Sequence, residues 1–347
     1  MKGLPVAGRD YPGSLPELRS WYRSDADCLD YLDWLRWPDG FVCPWCAGVG
    51  EWAASPGVHR CSGCSRRVSV TAGTLFQGTR APLTVWFEAA WLMTVSKQGL
   101  SAQTLQHSTG LGRYQTAWTM LHKFRTVMDP AKHPRLSGDV EVDETMIGGF
   151  KPVFKGRGAA GKTLVAGAIE RRGRGFGRAR LQIIADGTTP SLTAFLQANV
   201  APESRVISDG WSAYPPASRA AGLLHTAYKV TPSGLPAHTF LPGVHRLFSL
   251  VKRVLEGTYQ GSVQPEHLQA YLDEFVFRFN RRNSTQRGLL FFRLLEASVA
   301  GAPATYNGIA EIHRTPPQPP VAPPTPHHLP RTLTGQPAHR PWRTKIP

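Results

Sequence analysis

Two Cys-x-x-Cys pairs stand near the N-terminus of the sequence, Cys43 with Cys46 and Cys61 with Cys64, with fourteen residues between the pairs. Four thiolates at this spacing suit a tetrahedral zinc ion, and because all four ligands come from the protein, the zinc would be structural. Two disulfide bonds are the alternative, but no apolar secretion signal precedes the cysteines, and a reducing compartment disfavours disulfides. The fifth cysteine, Cys28, falls on a predicted helix, where we expect it to be buried and unreactive.

Acidic residues cluster on a predicted strand inside a basic part of the chain. Four of them fall within six residues: Asp139, Glu141, Asp143 and Glu144. Because side chains alternate across a strand, the first three share one face and Glu144 lies on the other. The apolar neighbours of Asp143 make its carboxylate costly to bury unless it is paired or bound to a metal. Asp209 follows a second predicted strand, and carboxylates at adjacent strand ends can hold Mg²⁺ or a similar cation. The alternative is that both aspartates only form turns or ion pairs.

Residues 100–127 have the pattern of two short helices separated by a turn that contains Gly110 and Gly112. In a helix-turn-helix the second helix enters the major groove of DNA, which would place Arg113 and Gln115 near the base edges. An ordinary helical hairpin has the same pattern. The local net charge of +5 over residues 71–138 favours the DNA-binding interpretation.

The charge of the whole chain indicates its partner. The 347 residues include 40 Lys and Arg against 24 Asp and Glu, a net charge of +16, which disfavours a cationic substrate and favours nucleic acid. Residues 1–70 are neutral in sum, so the excess lies after residue 70. No apolar run approaches the roughly 20 residues that a membrane helix needs. We therefore expect a cytoplasmic, nucleoid-associated protein with no membrane association.

The elements that must position these groups fall into five predicted regions. They are an N-terminal helical segment (1–40), a zinc ribbon (41–78), a helix-turn-helix region (79–135), a domain of alternating strands and helices (136–300) and a Pro-rich, disordered tail (301–347). Residues 315–347 hold eleven prolines, which predicts a disordered or polyproline-like segment. Within the fourth region we predict strands at 140–147, 163–169, 180–185, 205–208 and 223–229, and helices at 190–199 (with Thr189 as N-cap), 244–256 and 265–280.

This order of features resembles the zinc-ribbon class of bacterial insertion-sequence transposases, the ISXO2-like group. The likeness extends from about residue 15 to residue 300 and implies an α/β fold with a ribonuclease-H-like mixed sheet, preceded by the ribbon and the helix-turn-helix. The motifs that carry it are LDWLRWPDG at 32–40, VDET at 142–145, SDG at 208–210, FSLVKR at 248–253 and YLDEFVFRFNRR at 271–282.

Carried over by position, the resemblance implies a catalytic triad of Asp143, Asp209 and a third residue that is usually glutamate. The third place falls on His245, and Glu256 and Glu274 are the alternatives for it. Lys252 follows His245 by two helical turns, about 10.5 Å along the axis. There it would contact a phosphate, with Arg253 as a further DNA contact.

The resemblance also implies an activity and a set of partners. The triad would bind Mg²⁺ or Mn²⁺ and direct cleavage of transposon ends, followed by strand transfer into target DNA. Two ends must be joined, which implies a homo-oligomer in a synaptic complex. The alternative is a catalytically degenerate copy that keeps its DNA-binding parts and acts as a regulator.

Overall fold

The computed structural model describes residues 4–148, 162–228 and 237–311. These residues form two compact units, one from the described parts of 1–96, 102–127 and 284–347, the other from those of 97–101 and 128–283. The helices are α1 (Leu15–Trp21), α2 (Asp25–Arg36), α3 (Leu83–Val95), α4 (Ala102–Thr109), α5 (Tyr114–Thr126), α6 (Thr189–Asn199), α7 (Tyr214–Ala220), α8 (Ala237–Phe240), α9 (Pro242–Gly257), α10 (Leu268–Phe279), α11 (Arg287–Ala300) and α12 (Tyr306–Glu311). The strands are β1 (Glu51–Ser55), β2 (Val58–Cys61), β3 (Arg67–Ser69), β4 (Asp139–Gly148), β5 (Lys162–Arg172), β6 (Gly175–Ile183), β7 (Arg205–Ser208) and β8 (Leu224–Ala227).

The first unit has an aromatic core. Helix α2 begins with a capping box, in which the Ser24 hydroxyl accepts from the Asp27 amide and the Asp27 carboxylate accepts from the Ser24 amide. The apolar side of α2 packs against α3 and α11, where Tyr31, Phe87 and Phe291 meet edge-on or stacked at ring-centre distances of 5.8–6.5 Å. Cys28 on α2 is fully buried, as predicted.

Two boundaries predicted from the sequence are wrong. The region predicted at 136–300 includes the residues of α11, for which no helix was predicted, and α11 packs on α2 and α3 in the first unit. The tail was expected to lack structure from residue 301, yet residues 306–311 form α12, which packs on α5 through a Tyr306–Trp118 ring contact of 6.2 Å. The proline-rich part from residue 312 onwards lies outside the described residues.

The second unit is built on a five-stranded mixed sheet with the order β6-β5-β4-β7-β8. Strands β4, β5 and β6 are antiparallel neighbours, whereas β7 runs parallel to both β4 and β8. The sheet is therefore mixed, as predicted, and the α/β fold class is confirmed. All five predicted strands are present, although β6 begins five residues before its predicted start at residue 180, and residue 229, the predicted end of the fifth strand, lies outside the described residues.

Helices cover both faces of this sheet. On one face, α6 and α7 bury Val140 and Val142 of β4 together with Phe195 and Tyr214. On the other face, α9 packs on β4 and β5, and α10 packs on β6. The N-cap of helix α6 is Thr188, whereas the sequence predicted Thr189, one residue later. Pro190 lies in the first turn of this helix. Helix α7 was not predicted. Among the helices of the described residues, none is both long and apolar enough to cross a membrane.

Candidate active site and zinc centre

The four predicted zinc ligands lie together in the first unit. Their sulfur atoms are all within 4.8 Å of one another, with Cys43 3.7 Å from Cys64 and Cys46 3.5 Å from Cys61. A tetrahedron with bonds of about 2.3 Å has edges of about 3.8 Å, so these separations fit a zinc ion. Cys28 takes no part in this group.

Matching backbone turns shape the two cysteine pairs. The amide of Ala47 donates to the Cys43 carbonyl and the amide of Ser65 donates to the Cys61 carbonyl, both at 2.9 Å. Ala47 and Ser65 each follow the second cysteine of a pair, and each has a left-handed backbone, with φ of 57° and 56°. Local backbone geometry therefore turns each pair of thiols towards one point.

Contacts to α2 hold the ribbon in place within the first unit. His59 on β2 lies 2.6 Å from the Asp33 carboxylate and also contacts Glu51, while its ring stacks on Phe41 at 5.0 Å. Arg36 donates to the backbone carbonyls at the end of β3, at 3.0 and 2.7 Å. The ribbon is therefore attached by polar groups of one helix, whereas its own apolar core is small.

The first two candidate acids lie on or beside adjacent parallel strands: Asp143 is in the middle of β4, and Asp209 directly follows β7. In the β4–β7 register Glu141 pairs with Ile207, so two residues further along Asp143 comes opposite Asp209. Neighbouring strands are about 4.8 Å apart, so this register brings Asp209, at the end of β7, next to the middle of β4, where Asp143 lies. The Asp143 carboxylate accepts from the Glu144 amide at 2.8 Å, and that of Asp209 accepts from the Trp211 amide at 3.0 Å.

A buried tyrosine lies beside these acids. Tyr214 on α7 is fully buried, and burial, together with the nearby carboxylates of Glu144, Asp143 and Asp209, raises its pKa well above the usual value. Its hydroxyl therefore stays protonated among three acids. The sequence analysis missed this residue, although Pro215-Pro216 in the first turn of α7 is a recognisable helix-start signal.

Helix α9 brings His245 and Lys252 to the same face of β4. The His245 Nε2 atom lies 3.5 Å from an Asp143 carboxylate oxygen, and the Lys252 ammonium donates to the Thr145 hydroxyl at 2.7 Å. Asp143 and Thr145 are two residues apart on one strand and so share a face. Burial lowers the pKa of Lys252, partly offset by the nearby Glu256 carboxylate. The structure therefore brings three of the four predicted catalytic residues, Asp143, His245 and Lys252, to one face of β4.

A glycine opposite Asp143 lets α9 approach the sheet. Gly167 on β5 pairs with Asp143, and a β-carbon at Gly167 would come within 2.4 Å of the Phe248 ring of α9. Any larger residue would push the helix, and His245 with it, away from β4.

The alternatives for the third ligand lie elsewhere. Glu256 is exposed, one turn beyond Lys252 on α9, and lines a cavity with Gly148 at the far end of β4. Glu274 is 1% exposed, and its carboxylate accepts from Arg278 at 3.0 Å and from the Tyr259 hydroxyl at 3.2 Å. Three or more His, Cys, Asp or Glu side chains close enough together to hold one metal ion occur, within the described ranges, only as the four cysteines, whose sulfur atoms lie within 4.8 Å of one another. Asp143, Asp209 and His245 thus form a looser group than the ligands of one ion.

The predicted DNA-contacting residues are exposed. Helices α3, α4 and α5 pack together in the first unit. Arg113, the N-cap of α5, and Gln115 in its first turn are exposed, whereas most residues from Met120 to Arg125 are buried. Arg253 on α9 is exposed, next to the half-buried Lys252.

Family models match two stretches of this chain. Residues 135–280 match the ISXO2-like transposase domain, and residues 23–67 match the transposase zinc-ribbon domain. The chain is also similar to an uncharacterized protein in transposable element ISH50 of Halobacterium salinarum. That relative is 27% identical over 215 residues, which cover 56% of this chain and 70% of the relative. The first match contains Asp143, Asp209 and His245, and the second contains the four cysteines.

Proposed function

We propose that this chain is a transposase that cleaves the ends of an insertion sequence and joins them to target DNA, because its two matched stretches are a transposase zinc ribbon and an ISXO2-like transposase domain. The observation that carries the proposal is the contact of His245 with Asp143 on β4, next to Asp209, which directly follows the parallel strand β7. Two carboxylates and an imidazole beside the central strand β4 are suitable ligands for divalent cations.

Each side chain of this site has a distinct task in the proposal. Asp143, Asp209 and His245 would hold Mg²⁺ or Mn²⁺, which when bound stabilises the charge on the attacking and leaving oxygens of a phosphodiester. The Lys252 ammonium, held by Thr145, contacts a phosphate beside the carboxylates. The Tyr214 hydroxyl remains a hydrogen-bond donor next to them, because burial and the neighbouring acids raise its pKa.

The proposal is tested on the DNA that flanks the gene. A supercoiled plasmid carrying those flanks as inverted repeats, incubated with the purified chain and Mn²⁺ or Mg²⁺, should be cut at the repeat ends to leave 3′-hydroxyl groups. A second plasmid should then receive the cut strands. Binding of the ends without any cleavage in either metal would contradict the proposal and support a DNA-binding regulator, the candidate favoured by histidine at the third place.

We expect higher cleavage activity with Mn²⁺ than with Mg²⁺. His245 supplies one negative charge fewer than a glutamate, and an imidazole suits Mn²⁺ better than the harder Mg²⁺. Initial cleavage rates at matched metal concentrations measure the preference. His245→Glu is the matched variant and should shift the preference towards Mg²⁺. Equal or better Mg²⁺ activity of the unmodified chain would contradict the role of His245. The same conclusion would follow if Glu256→Ala abolished cleavage while His245→Ala retained full cleavage.

Arg113→Ala should weaken binding to the transposon end by about 1–3 kcal/mol, because a base contact from the recognition helix is lost. Fluorescence anisotropy with a labelled end and with unrelated DNA separates base recognition from phosphate attraction. Arg23→Ala removes an exposed arginine from the acid-rich N-terminal segment and should leave binding unchanged. Equal affinities of the Arg113 and Arg23 variants for the end would refute the helix-turn-helix interpretation.

Joining two ends implies at least two copies of the chain in the synaptic complex, and the DNA substrate places the protein in the cytoplasm with the chromosome. The molar mass of the complex with transposon-end DNA measures the number of copies and should correspond to at least two chains.

A further inference from the structure

Glu141 is a fully buried carboxylate with three hydrogen-bond partners on two other elements, β5 and α9. It lies on β4, two residues before Asp143 and on the same face of the strand. One of its oxygens accepts from the Arg171 Nε of β5 at 2.6 Å. The other accepts from the amides of Gly243 and Val244, at 2.7 and 3.0 Å.

Those two amides belong to the first turn of α9, the helix that carries His245. The first amides of a helix have no partner within the helix, and they attract negative charge. A polar N-cap side chain usually satisfies them, but the N-cap of α9 is Leu241, which has no polar side-chain atom. The carboxylate of Glu141, about a hundred residues earlier in the chain, takes that place.

The structure is adapted to this contact. Gly243 leaves room for it, since a β-carbon there would come within 3.0 Å of the Glu141 carboxylate and within 2.4 Å of the Phe176 ring. Arg171, which binds Glu141, also donates to the Phe240 carbonyl at 2.6 Å, at the end of the short helix α8. The carboxylate and the guanidinium together fix where α9 begins.

We infer that Glu141 is a positioning residue of the active site, acting through the start of α9 to hold His245 against Asp143. This inference rests on the proposed function of the site. His245 is only two positions after Gly243, so movement of the first turn of α9 changes the distance from its imidazole to Asp143. A supporting group of this kind typically changes activity by about 10- to 100-fold when removed.

Glu141→Gln removes the charge while keeping the size of the side chain, and Glu170→Gln is its matched control. Glu170, on β5, is 1% exposed and, like Glu141, accepts hydrogen bonds from arginine side chains, in its case from Arg172 at 3.0 Å and Arg178 at 2.6 Å. Its two backbone donors, the amides of Ser137 and Arg178, are outside α9. Both variants lose a buried, arginine-bound charge, but only Glu141→Gln affects the first turn of α9.

Two readouts decide the inference. Hydrogen exchange followed by mass spectrometry should show faster exchange in the peptide covering the start of α9 for Glu141→Gln and not for Glu170→Gln. The kcat for cleavage of the transposon end should fall about tenfold in Glu141→Gln with KM for DNA unchanged, and should stay near the unmodified value in Glu170→Gln. If Glu141→Gln does not fold, Gly243→Ala, which crowds the same contact, should give the same two changes.

Unchanged exchange at α9, or an equal fall in kcat in both glutamine variants, would overturn the inference. The proposed function fails separately. If the unmodified chain cleaves no DNA, the function is wrong, and the exchange measurement still decides whether Glu141 holds α9. If the unmodified chain cleaves DNA but Glu141→Gln matches it, only the positioning role is wrong.

Discussion

Asp143→Asn is expected to abolish DNA cleavage, with a fall in rate on the order of 1000-fold or more. Asparagine has the size of aspartate without its charge, and a neutral amide is a poor ligand for a hard divalent cation. The stabilisation that such an ion supplies amounts to several kcal/mol, and each 1.36 kcal/mol changes a rate about tenfold. The measurement is the fraction of plasmid cut at the repeat ends over time, at equal DNA occupancy.

The matched control is Asp139→Asn, on the same strand and the same face. The Asp139 side chain is 46% exposed, and it has only a long ion pair, 3.8 Å to Arg205. Cleavage should be unchanged in this variant. Asp209→Asn should be as inactive as Asp143→Asn, and the double variant no worse than either, because residues that act as a unit are not additive. Wild-type cleavage by Asp143→Asn would place the reaction elsewhere.

Thermal unfolding separates this loss from misfolding. Asp143 lies near Glu144 and Asp209, and all three raise the pKa of the buried Tyr214. Like charges at close range destabilise the folded state, and active sites commonly retain such destabilising groups for function. We therefore expect the Tm of Asp143→Asn to equal or exceed that of the unmodified chain.

Local patterns predicted much of this site. Strand alternation placed Glu141 and Asp143 on one face of β4, and the structure confirms it, since Glu141 contacts α9 whereas Val140 and Val142 face α6 and α7. The seven-residue spacing of His245 and Lys252 placed both on one side of a helix. These features follow from the periods of strands and helices, which are properties of a few consecutive residues.

Features that depend on distant partners were not predictable in this way. The cap that Glu141 provides for α9 joins residues about a hundred positions apart, and an isolated glutamate on a strand does not reveal it. Helix α11 has an apolar side that would suit either unit, and only its contacts, such as Phe291 with Tyr31, assign it to the first. Tyr214 belongs to a seven-residue helix, too short for a periodic signal.

Cys43→Ser is expected to eliminate zinc binding and to unfold the ribbon while the rest of the first unit stays folded. The apolar core of the ribbon is very small, with Phe41, Val68 and two of the zinc ligands, Cys43 and Cys61, as its buried members. Its strands have five, four and three residues, and so small a sheet is not stable alone in water. Structural zinc contributes about 10–16 kcal/mol of binding free energy to such sites, so most of the stability of the ribbon depends on the metal.

The separate core of the first unit explains why the loss should stay local. Tyr31, Phe87 and Phe291 pack with one another on α2, α3 and α11 without any ribbon residue.

Zinc content by mass spectrometry should fall from one ion per chain to none in Cys43→Ser. Hydrogen exchange should become fast in residues 41–69 and stay slow in α3 and α11. Cys28→Ala is the control, because Cys28 is fully buried in α2 and lies outside the zinc group. This variant should have a less stable α2 but should still bind one zinc ion. Full zinc content in Cys43→Ser would contradict the four-cysteine site, and loss of zinc in Cys28→Ala would show that the metal depends on the core of α2 as well.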